Sequence, residues 1–257
     1  MSRNDVTGGA SFDGKTGYTF AKFLEEYLSK RRYPGRGIIL GGDMLVYFIT
    51  GRSENSRNRV LRRTMDGVRT EAFDPNKLTD PSLVIYNAVR RAPDGFVVSN
   101  GAQTDNILRA LLRHDVGGLG HAVGAFKSVV YGLSFEPDPP LYTPRISGYL
   151  DRTNRLYEIA IARSYKAGAR VGCERRAWTY HGGGARFIST YDDDGGPPPS
   201  FPGEPIHITD VPRDCVATGE LVWNALDSEN RVALYSLTFD EKVCRDIIIN
   251  EREDERV

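Results

Sequence analysis

Two apolar runs separated by a glycine-rich turn constrain the fold of this chain more than any other part of its sequence. Gly37 to Leu40 and Met44 to Thr50 are rich in β-branched and aromatic residues, and Gly41-Gly42-Asp43 lies between them. Runs of this length on either side of such a turn are typical of a β-hairpin. We predict a hairpin that begins just after Arg36 and ends just before an arginine-rich stretch.

The rest of the chain also favours strands over helices. Apolar runs predict strands at Ser82 to Val89, Phe96 to Ser99, Leu156 to Ala162, Ala185 to Thr190, Val232 to Phe239 and Val243 to Ile249. Apolar residues at helical spacing predict helices at Phe20 to Leu28, Thr104 to Arg113 and Gly118 to Tyr131, with Thr104 and Asp105 as candidate caps. This mixture indicates an α+β protein.

The distribution of glycine, proline and charge predicts how the chain is divided. Residues 1–17 are polar and glycine-rich, which predicts a flexible lead-in, and residues 18–32 form a helical extension. Prolines and a triple aspartate at 192–205 exclude a helix or a central strand, which predicts a loop. Too little chain follows this loop for a second domain, so residues 33–250 are predicted to form one domain before the charged tail at 251–257.

Charge and composition exclude several classes of function. Lysine plus arginine equals aspartate plus glutamate at 34 each, so the chain lacks the overall positive charge of most nucleic-acid-binding proteins. The three cysteines and four histidines show no metal-ligand spacing, and no apolar run is long enough to cross a membrane. We therefore expect a soluble cytoplasmic protein without a metal, a membrane contact or a nucleic-acid partner.

The arginine-rich stretch after the hairpin is the best candidate for a phosphate site. Gly51 to Arg59 interleaves arginines with serine and asparagine, and Arg62 and Arg63 follow. Arginine forks bind phosphate in bidentate fashion, so a neutral protein can hold an anion locally. A solvated turn explains the same residues about equally well.

Three further segments carry polar residues in otherwise apolar or rigid surroundings. Ser99 to Asp105 joins a strand to a helix, which suits either a ligand or a capped helix start. Tyr86 and Asn87 lie in succession on one strand and must point to opposite faces. Glu136 and Arg145 lie in a proline-stiffened segment, where they form either an acid–base site or a surface ion pair.

The order of these segments resembles that of the archaeal-type IMP cyclohydrolases, including their longer bacterial relatives. The resemblance rests on Tyr33-Pro34-Gly35-Arg36-Gly37, Gly51 to Arg59, Ile85-Tyr86-Asn87, Ser99 to Asp105 and Tyr142 to Ile146, and it extends over residues 33–245. It implies a four-layer αββα sandwich of the N-terminal-nucleophile hydrolase type. It implies no autoprocessing, because the strand that would carry the nucleophile begins near Tyr33 rather than at a free terminal Cys, Ser or Thr.

The resemblance also implies an activity and a set of site residues. The activity is the dehydrative closure of 5-formamidoimidazole-4-carboxamide ribotide to IMP in purine nucleotide biosynthesis, which needs no metal or organic cofactor. By analogy, Tyr86, Glu136 and Arg36 are the catalytic candidates. The substrate-binding candidates are Arg52, Ser53, Arg57, Asn58, Arg59, Asn87, Asn100, Thr104, Asp105 and Arg145.

One position departs from the archaeal pattern. Those proteins carry an arginine after the tyrosine of the second hairpin strand, where this chain has Phe48 after Tyr47. Two alternatives therefore remain: a paralogue acting on a related carboxamide nucleotide or nucleoside in specialised metabolism, or a catalytically silent nucleotide-binding protein. The helix at Phe20 to Leu28 either caps the sandwich or pairs with another subunit, which leaves a homo-oligomer open.

Overall fold

The computed structural model describes residues 17–78, 81–113, 119–167, 170–192, 195–239 and 243–252. Its strands are, in chain order, β1 Tyr18–Thr19, β2 Arg36–Gly41, β3 Met44–Thr50, β4 Val60–Thr64, β5 Gly67–Glu71, β6 Tyr86–Ala92, β7 Gly95–Ser99, β8 Arg145–Asp151, β9 Leu156–Ala167, β10 Arg170–His181, β11 Ala185–Ser189, β12 Ile206–Thr209, β13 Arg231–Phe239 and β14 Cys244–Asn250.

These strands form two seven-stranded sheets. The first has the order β1-β12-β11-β2-β3-β13-β14, and the second has the order β10-β9-β8-β7-β6-β5-β4. Every neighbouring pair is antiparallel except β1 and β12, which run parallel. Because sequence neighbours pair throughout the second sheet, it is a meander.

The helices pack against these sheets. An N-terminal helical segment consists of α1 Phe20–Lys22, a π-helical turn Phe23–Tyr27 and a 3-10 turn Leu28–Lys30. The others are α2 Glu54–Arg57, a 3-10 turn Pro75–Lys77, α3 Pro81–Val84, α4 Gln103–Arg113, α5 Leu119–Gly132 and α6 Cys215–Ala225. The α4 and α5 helices contact the second sheet, and α6 contacts β13, β14 and the N-terminal segment. Within the described ranges, no helix is long and apolar enough to span a bilayer.

The two sheets also contact each other. β2 lies against β8 and β9, while β4 lies against β13 and β14. Val98 belongs to the large apolar cluster that includes β2 and β3, whereas its neighbour Val97 packs with residues of α4 and α5. The second sheet is therefore buried on both faces, which explains why its central strands read as continuous apolar runs.

The predicted hairpin, the α+β composition and most of the predicted elements are confirmed. The predicted strand at Ser82 to Val89 is wrong at its start, because Pro81 opens a helical turn in which Ile85 N donates to Pro81 O. Strands β1, β4, β5, β8, β10 and β12 and helices α2 and α6 were not predicted from the sequence, and β1 lies where the helical extension was predicted to begin. The predicted lead-in up to residue 16, the start of the predicted helix at Gly118, residues 193–194 of the predicted loop and residues 253–257 of the tail lie outside the described residues.

Candidate active site

The first residues of three strands lie at one end of the two packed sheets. Arg36 opens β2, Tyr86 opens β6 and Arg145 opens β8. The two sheets face each other, so these residues converge, and Glu136 reaches them from the loop before β8. The structure thus brings together the three predicted catalytic residues and Arg145.

A buried carboxylate joins two of these arginines. Glu136 Oε1 lies 2.9 Å from Arg36 Nη2 and 3.2 Å from Arg145 Nη1. The Arg36 and Glu136 side chains are only 8% and 6% exposed, and Arg145 is 20% exposed, so the Glu136–Arg145 contact is not the surface ion pair of the alternative prediction. Two guanidinium groups share one carboxylate, which leaves an excess positive charge in the cluster.

Arg36 remains charged despite its burial. Burial alone would lower the pKa of Arg36, but the Glu136 carboxylate and the nearby hydroxyls of Tyr86, Tyr191 and Tyr47 raise that pKa overall. The Arg36 Nε is buried and has no hydrogen-bond partner among the described residues. A buried N–H without a partner is costly, so this atom is suited to a ligand oxygen.

Tyr47 completes the cluster, and it was not predicted as a site residue. Its hydroxyl lies 2.7 Å from the hydroxyl of Tyr86, and both side chains are buried. Burial and the neighbouring Tyr86 hold the pKa of Tyr47 well above its ordinary value. The hairpin contained the signal for this residue: Ile38 pairs with Tyr47, so Tyr47 shares a face with Arg36 two residues earlier.

A second set of hydroxyls lies beside Arg36. The Tyr191 hydroxyl lies 2.6 Å from Thr143 Oγ1, which in turn donates to Asp138 Oδ2 at 2.5 Å. Burial raises the pKa of Tyr191 to about 12, against the lowering effect of Arg36. The Tyr191 ring stacks on Tyr33 with centroids 5.5 Å apart. This network fixes the loop that carries Glu136.

Asn100 holds the backbone on both sides of Arg145, and Thr104 bonds within its own turn. Asn100 donates to Pro144 O at 2.8 Å and accepts from Ile146 N at 2.9 Å. Thr104 lies inside the first turn of α4 instead of capping it, and its hydroxyl donates to Gly101 O. A Cβ atom at Gly101 would lie 1.9 Å from Arg145 Nη1, so a larger residue there would displace the guanidinium from its present position. Both predicted substrate-binding residues therefore have protein partners, and those of Asn100 position the backbone around Arg145.

The predicted phosphate segment is divided between structural and accessible residues. Ser53 caps α2 in a reciprocal pair with Ser56, and Asn58 is buried, with its side chain bonded to the backbone of Asp74. Arg52 is exposed and lies 4.3 Å above the Tyr33 ring.

The other two arginines of this segment differ in burial. Arg57 is half-buried at the end of α2. Arg59 is buried, and its positive charge lies close enough to Tyr47 to act against the rise in the pKa of that tyrosine. Arg52, Arg57 and Arg59 are therefore the residues of this segment suited to an anion.

Asn87 and Asp105 do not join the cluster. Asn87 Nδ2 donates to both Asp105 oxygens, at 3.0 and 3.1 Å, and Arg90 Nη1 lies 2.8 Å from Asp105 Oδ1. These groups connect β6 to α4, on the face of β6 opposite to Tyr86. Their predicted role in substrate binding is therefore not supported by their position.

Phe48 also faces away from the cluster. It pairs with Gly37 on the face opposite to Tyr47, and its ring stacks on Phe187 with centroids 6.2 Å apart. Phe187 in turn contacts Phe23 of the N-terminal helical segment. The departure from the archaeal pattern thus takes no side chain away from the Arg36–Glu136 cluster.

Two clefts lie at the opposite end of the hairpin, next to the turn at Gly42 and Asp43. They have volumes of about 400 and 800 Å³, and the larger is lined by arginines and aspartates from the ends of several strands. The length of β2 separates them from Arg36 by roughly 17 Å. Neither cleft shares a lining residue with the candidate site.

A family model described as IMP cyclohydrolase-like protein matches residues 33–243. No curated protein shows significant similarity to the chain. The match begins at Tyr33, three residues before β2, and it includes every residue of the Arg36–Glu136 cluster.

Proposed function

The chain belongs to the IMP cyclohydrolase-like family, and from this premise we propose that it closes 5-formamidoimidazole-4-carboxamide ribotide to IMP. The buried contact of Glu136 with Arg36 and Arg145, beside the Tyr47–Tyr86 hydroxyl pair, carries the proposal. This activity belongs to purine nucleotide synthesis in the cytoplasm.

The reaction makes clear demands on the site. The carboxamide nitrogen attacks the formyl carbon and gives up one proton, so that a C–N bond forms while the C=O π bond breaks. The formyl oxygen gains negative charge and is then protonated. The resulting carbinolamine then loses its hydroxyl and one nitrogen-bound proton as water. Catalysis requires fixed positive groups near the formyl oxygen and a group that transfers protons.

The two guanidinium groups meet the first demand. Arg36 and Arg145 are held on one carboxylate oxygen, so their remaining N–H groups are oriented before the substrate arrives. Fixed donors of this kind stabilise a developing oxyanion because they need no reorganisation during the reaction. Glu136 is therefore a positioning residue, since both arginines already engage its carboxylate.

The hydroxyl pair meets the second demand. Tyr86 lies at the start of β6 with Tyr47 behind it, so a proton can pass between Tyr86 and the substrate while Tyr47 holds the phenol in place. Tyr86 is accordingly assigned the transfer of protons.

The substrate phosphate is assigned to Arg52, Arg57 and Arg59. These residues follow β3, whose last residue, Thr50, lies at the same end of the sandwich as Arg36. Arg59 connects this segment to the cluster through its electrostatic effect on Tyr47. A phosphate bound there would leave the base next to the two tyrosines.

We assign the architecture to the four-layer αββα sandwich of the N-terminal-nucleophile hydrolase type, over a single domain at residues 33–250. The packing of α4 and α5 on one sheet and of α6 on the other supports this assignment. The site chemistry needs no terminal nucleophile, because Arg36 and Tyr86 are both internal residues.

The test is a direct assay of the purified chain with the formylated carboxamide ribotide, followed by the absorbance of IMP. Turnover that falls strongly in Tyr86→Phe and Glu136→Gln supports the proposal. Tight binding of IMP without turnover in the unmodified chain would instead identify a silent nucleotide-binding protein. Turnover only with a related carboxamide nucleotide or nucleoside would identify the paralogue.

A further inference from the structure

Three side chains beside the Arg36–Glu136 cluster form a continuous chain of hydrogen bonds. The Tyr191 hydroxyl lies 2.6 Å from Thr143 Oγ1, and Thr143 Oγ1 lies 2.5 Å from Asp138 Oδ2. Tyr191 and Thr143 are buried, whereas Asp138 is half-buried. The chain of hydrogen bonds therefore leads from the interior of the site towards the surface.

The order of donors and acceptors along these hydrogen bonds is fixed. Thr143 has one hydroxyl proton, and it donates this proton to Asp138 Oδ2, because an ionised carboxylate can only accept. The Tyr191 hydroxyl must then donate to Thr143. Both hydroxyl protons are thus directed towards Asp138, and the Tyr191 oxygen keeps its lone pairs for another donor.

The backbone between Asp138 and Thr143 is folded tightly around this contact. The Asp138 carbonyl oxygen accepts from Leu141 N and Tyr142 N, and Asp138 Oδ1 accepts from Thr143 N at 2.7 Å. Tyr142 has a φ of 45°, a left-handed conformation that is uncommon for a residue other than glycine. Backbone strain of this kind clusters at functional sites, where the surrounding contacts maintain it. Here it accompanies the return of Thr143 to Asp138.

Asp138 differs from the other carboxylate of this region. Glu136 Oε1 is shared between Arg36 and Arg145. Within the described part of the chain Asp138 forms no ion pair, and its two oxygens accept from the N–H and the hydroxyl of Thr143. Asp138 can therefore take up a proton without breaking an ion pair, which Glu136 cannot do.

We propose that Tyr191, Thr143 and Asp138 form a proton relay that takes up the carboxamide proton during ring closure. This role rests on the proposed function. Arg36 lies close enough to Tyr191 to oppose the rise in the pKa of that phenol, so the Tyr191 oxygen belongs to the same cluster as the arginines that face the formyl oxygen. Tyr191 is the relay residue that contacts the substrate, and Thr143 and Asp138 act through it.

The relay moves one proton in three coupled transfers. As the carboxamide nitrogen forms the new C–N bond, one of its N–H bonds breaks and that proton passes to the Tyr191 oxygen. The Tyr191 proton passes to Thr143 Oγ1, and the Thr143 proton passes to Asp138 Oδ2. Both hydroxyls end as they began, and Asp138 becomes a carboxylic acid. Because Asp138 is half-buried, it can then lose this proton to solvent.

The remaining protons of the reaction balance through Tyr86. The electrons of the C=O π bond stay on the formyl oxygen, which takes a proton from Tyr86. When the carbinolamine loses water, the second nitrogen-bound proton returns to Tyr86, and the departing hydroxyl takes a proton from solvent. That proton replaces the one that Asp138 released, so the relay and Tyr86 both return to their starting states.

Paired substitutions at Thr143 test the relay. Thr143→Val keeps the shape of the side chain and removes the hydroxyl, so kcat for the formylated ribotide should fall about 10²-fold or more with little change in KM. Thr143→Ser restores a hydroxyl and should recover most of the lost turnover. The control is Thr218→Val, because Thr218 is a buried threonine on α6 whose hydroxyl donates to Pro212 O at 2.9 Å. The control should leave kcat unchanged.

Substitutions at the two ends of the relay supply a second test. Tyr191→Phe keeps the ring that stacks on Tyr33, but it removes the hydroxyl. Asp138→Asn keeps an acceptor for Thr143 N, but its amide cannot take up the proton. Both variants should lose turnover as Thr143→Val does. Because several protons move together, wild-type kcat should depend nonlinearly on the fraction of D2O, and the residual turnover of Thr143→Val should lose this curvature.

The outcomes separate the relay from the activity on which it rests. Wild-type kcat in Thr143→Val, or an equal loss of turnover in Thr143→Val and Thr143→Ser, would overturn the relay and leave the cyclohydrolase activity standing. A linear dependence of wild-type kcat on the D2O fraction would also overturn the relay. A wild-type chain that does not turn over the formylated ribotide would overturn the proposed function, and the relay would fail with it.

Discussion

The hydroxyl of Tyr47 lies 2.7 Å from the hydroxyl of Tyr86, and the two residues come from different sheets. One phenol must donate to the other, so the pair links the two sheets at the candidate site. Because burial and the neighbouring phenol hold the pKa of Tyr47 well above its ordinary value, Tyr47 stays protonated at neutral pH.

This pair predicts unequal effects of removing each hydroxyl. Tyr86→Phe should lower kcat by about 10²- to 10⁴-fold, the range for loss of a general acid or base. Tyr47→Phe should have a smaller effect and shift the pH profile, since it removes only the partner of Tyr86. Tyr235→Phe, a buried tyrosine on β13, is the control. Equal turnover of Tyr86→Phe and wild type would exclude Tyr86 from proton transfer.

The shared carboxylate predicts a separation of stability from activity. Glu136→Gln leaves Arg36 buried without its counter-charge, which should lower the free energy of unfolding by about 3 kcal/mol. Arg36→Met combined with Glu136→Leu removes the buried charges together, and it should be more stable than Glu136→Gln in urea denaturation. The double variant should nevertheless remain inactive. Recovery of activity together with stability would show that the ion cluster has only a structural role.

Asn58 is expected to affect stability and not affinity. Both ends of its amide are bonded to the backbone of Asp74, at 2.7 and 2.8 Å. Asn58→Ala should lower the free energy of unfolding by about 1–3 kcal/mol, because buried backbone groups lose their partners. Arg57→Gln, one residue earlier, should weaken IMP binding with little change in stability. Calorimetric titration of both variants distinguishes the two roles, and weaker IMP binding by folded Asn58→Ala would return this residue to the phosphate site.

The accuracy of the sequence-based predictions depends on how local each signal was. The hairpin was predictable because its turn and both apolar runs are contiguous. β10 was missed because an edge strand is half-exposed on both faces, and its sequence mixes Arg, Glu and Trp without clear alternation. Helix α6 was also missed because its pattern is indistinct: the helix consists mainly of small and apolar residues, and no polar stripe marks one of its faces.

The charged residues of the candidate site were predictable from the sequence, whereas the roles of its amide and phenol side chains were not. Arg36, Glu136 and Arg145 were predicted and do lie together, although their shared oxygen depends on three distant segments. The sequence did not show that Asn87 and Tyr86 have different roles, because the partner of the Asn87 amide, Asp105, lies eighteen residues away on α4. The role of Tyr47 was missed because this residue lies in an apolar run, where a tyrosine is most often a packing residue.

Tyr191 predicts a loss of stability at alkaline pH. Its pKa is raised by burial to about 12, above the ordinary value of 10.0, so the folded state keeps a proton that the unfolded state loses. Its contribution is fully present below pH 10 and declines as the pH rises through 12. In urea denaturation across this range, Tyr191→Phe should lose less stability than wild type. An identical decline in both proteins would show that Tyr191 is not the group responsible.

Phe48 predicts the outcome of restoring the archaeal residue. The side chain is fully buried against Gly37 and Phe187, on the face of β3 opposite to Tyr47. Phe48→Arg should therefore lower the free energy of unfolding by about 3 kcal/mol or more, since it buries an unpaired charge in an aromatic cluster. Phe48→Leu, which keeps the site apolar, is the control and should cost less. Neither variant should raise turnover, because the new guanidinium cannot reach Arg36 or Glu136. If Phe48→Arg instead gained activity on the formylated ribotide, position 48 would contribute to the reaction. That result would support the paralogue hypothesis.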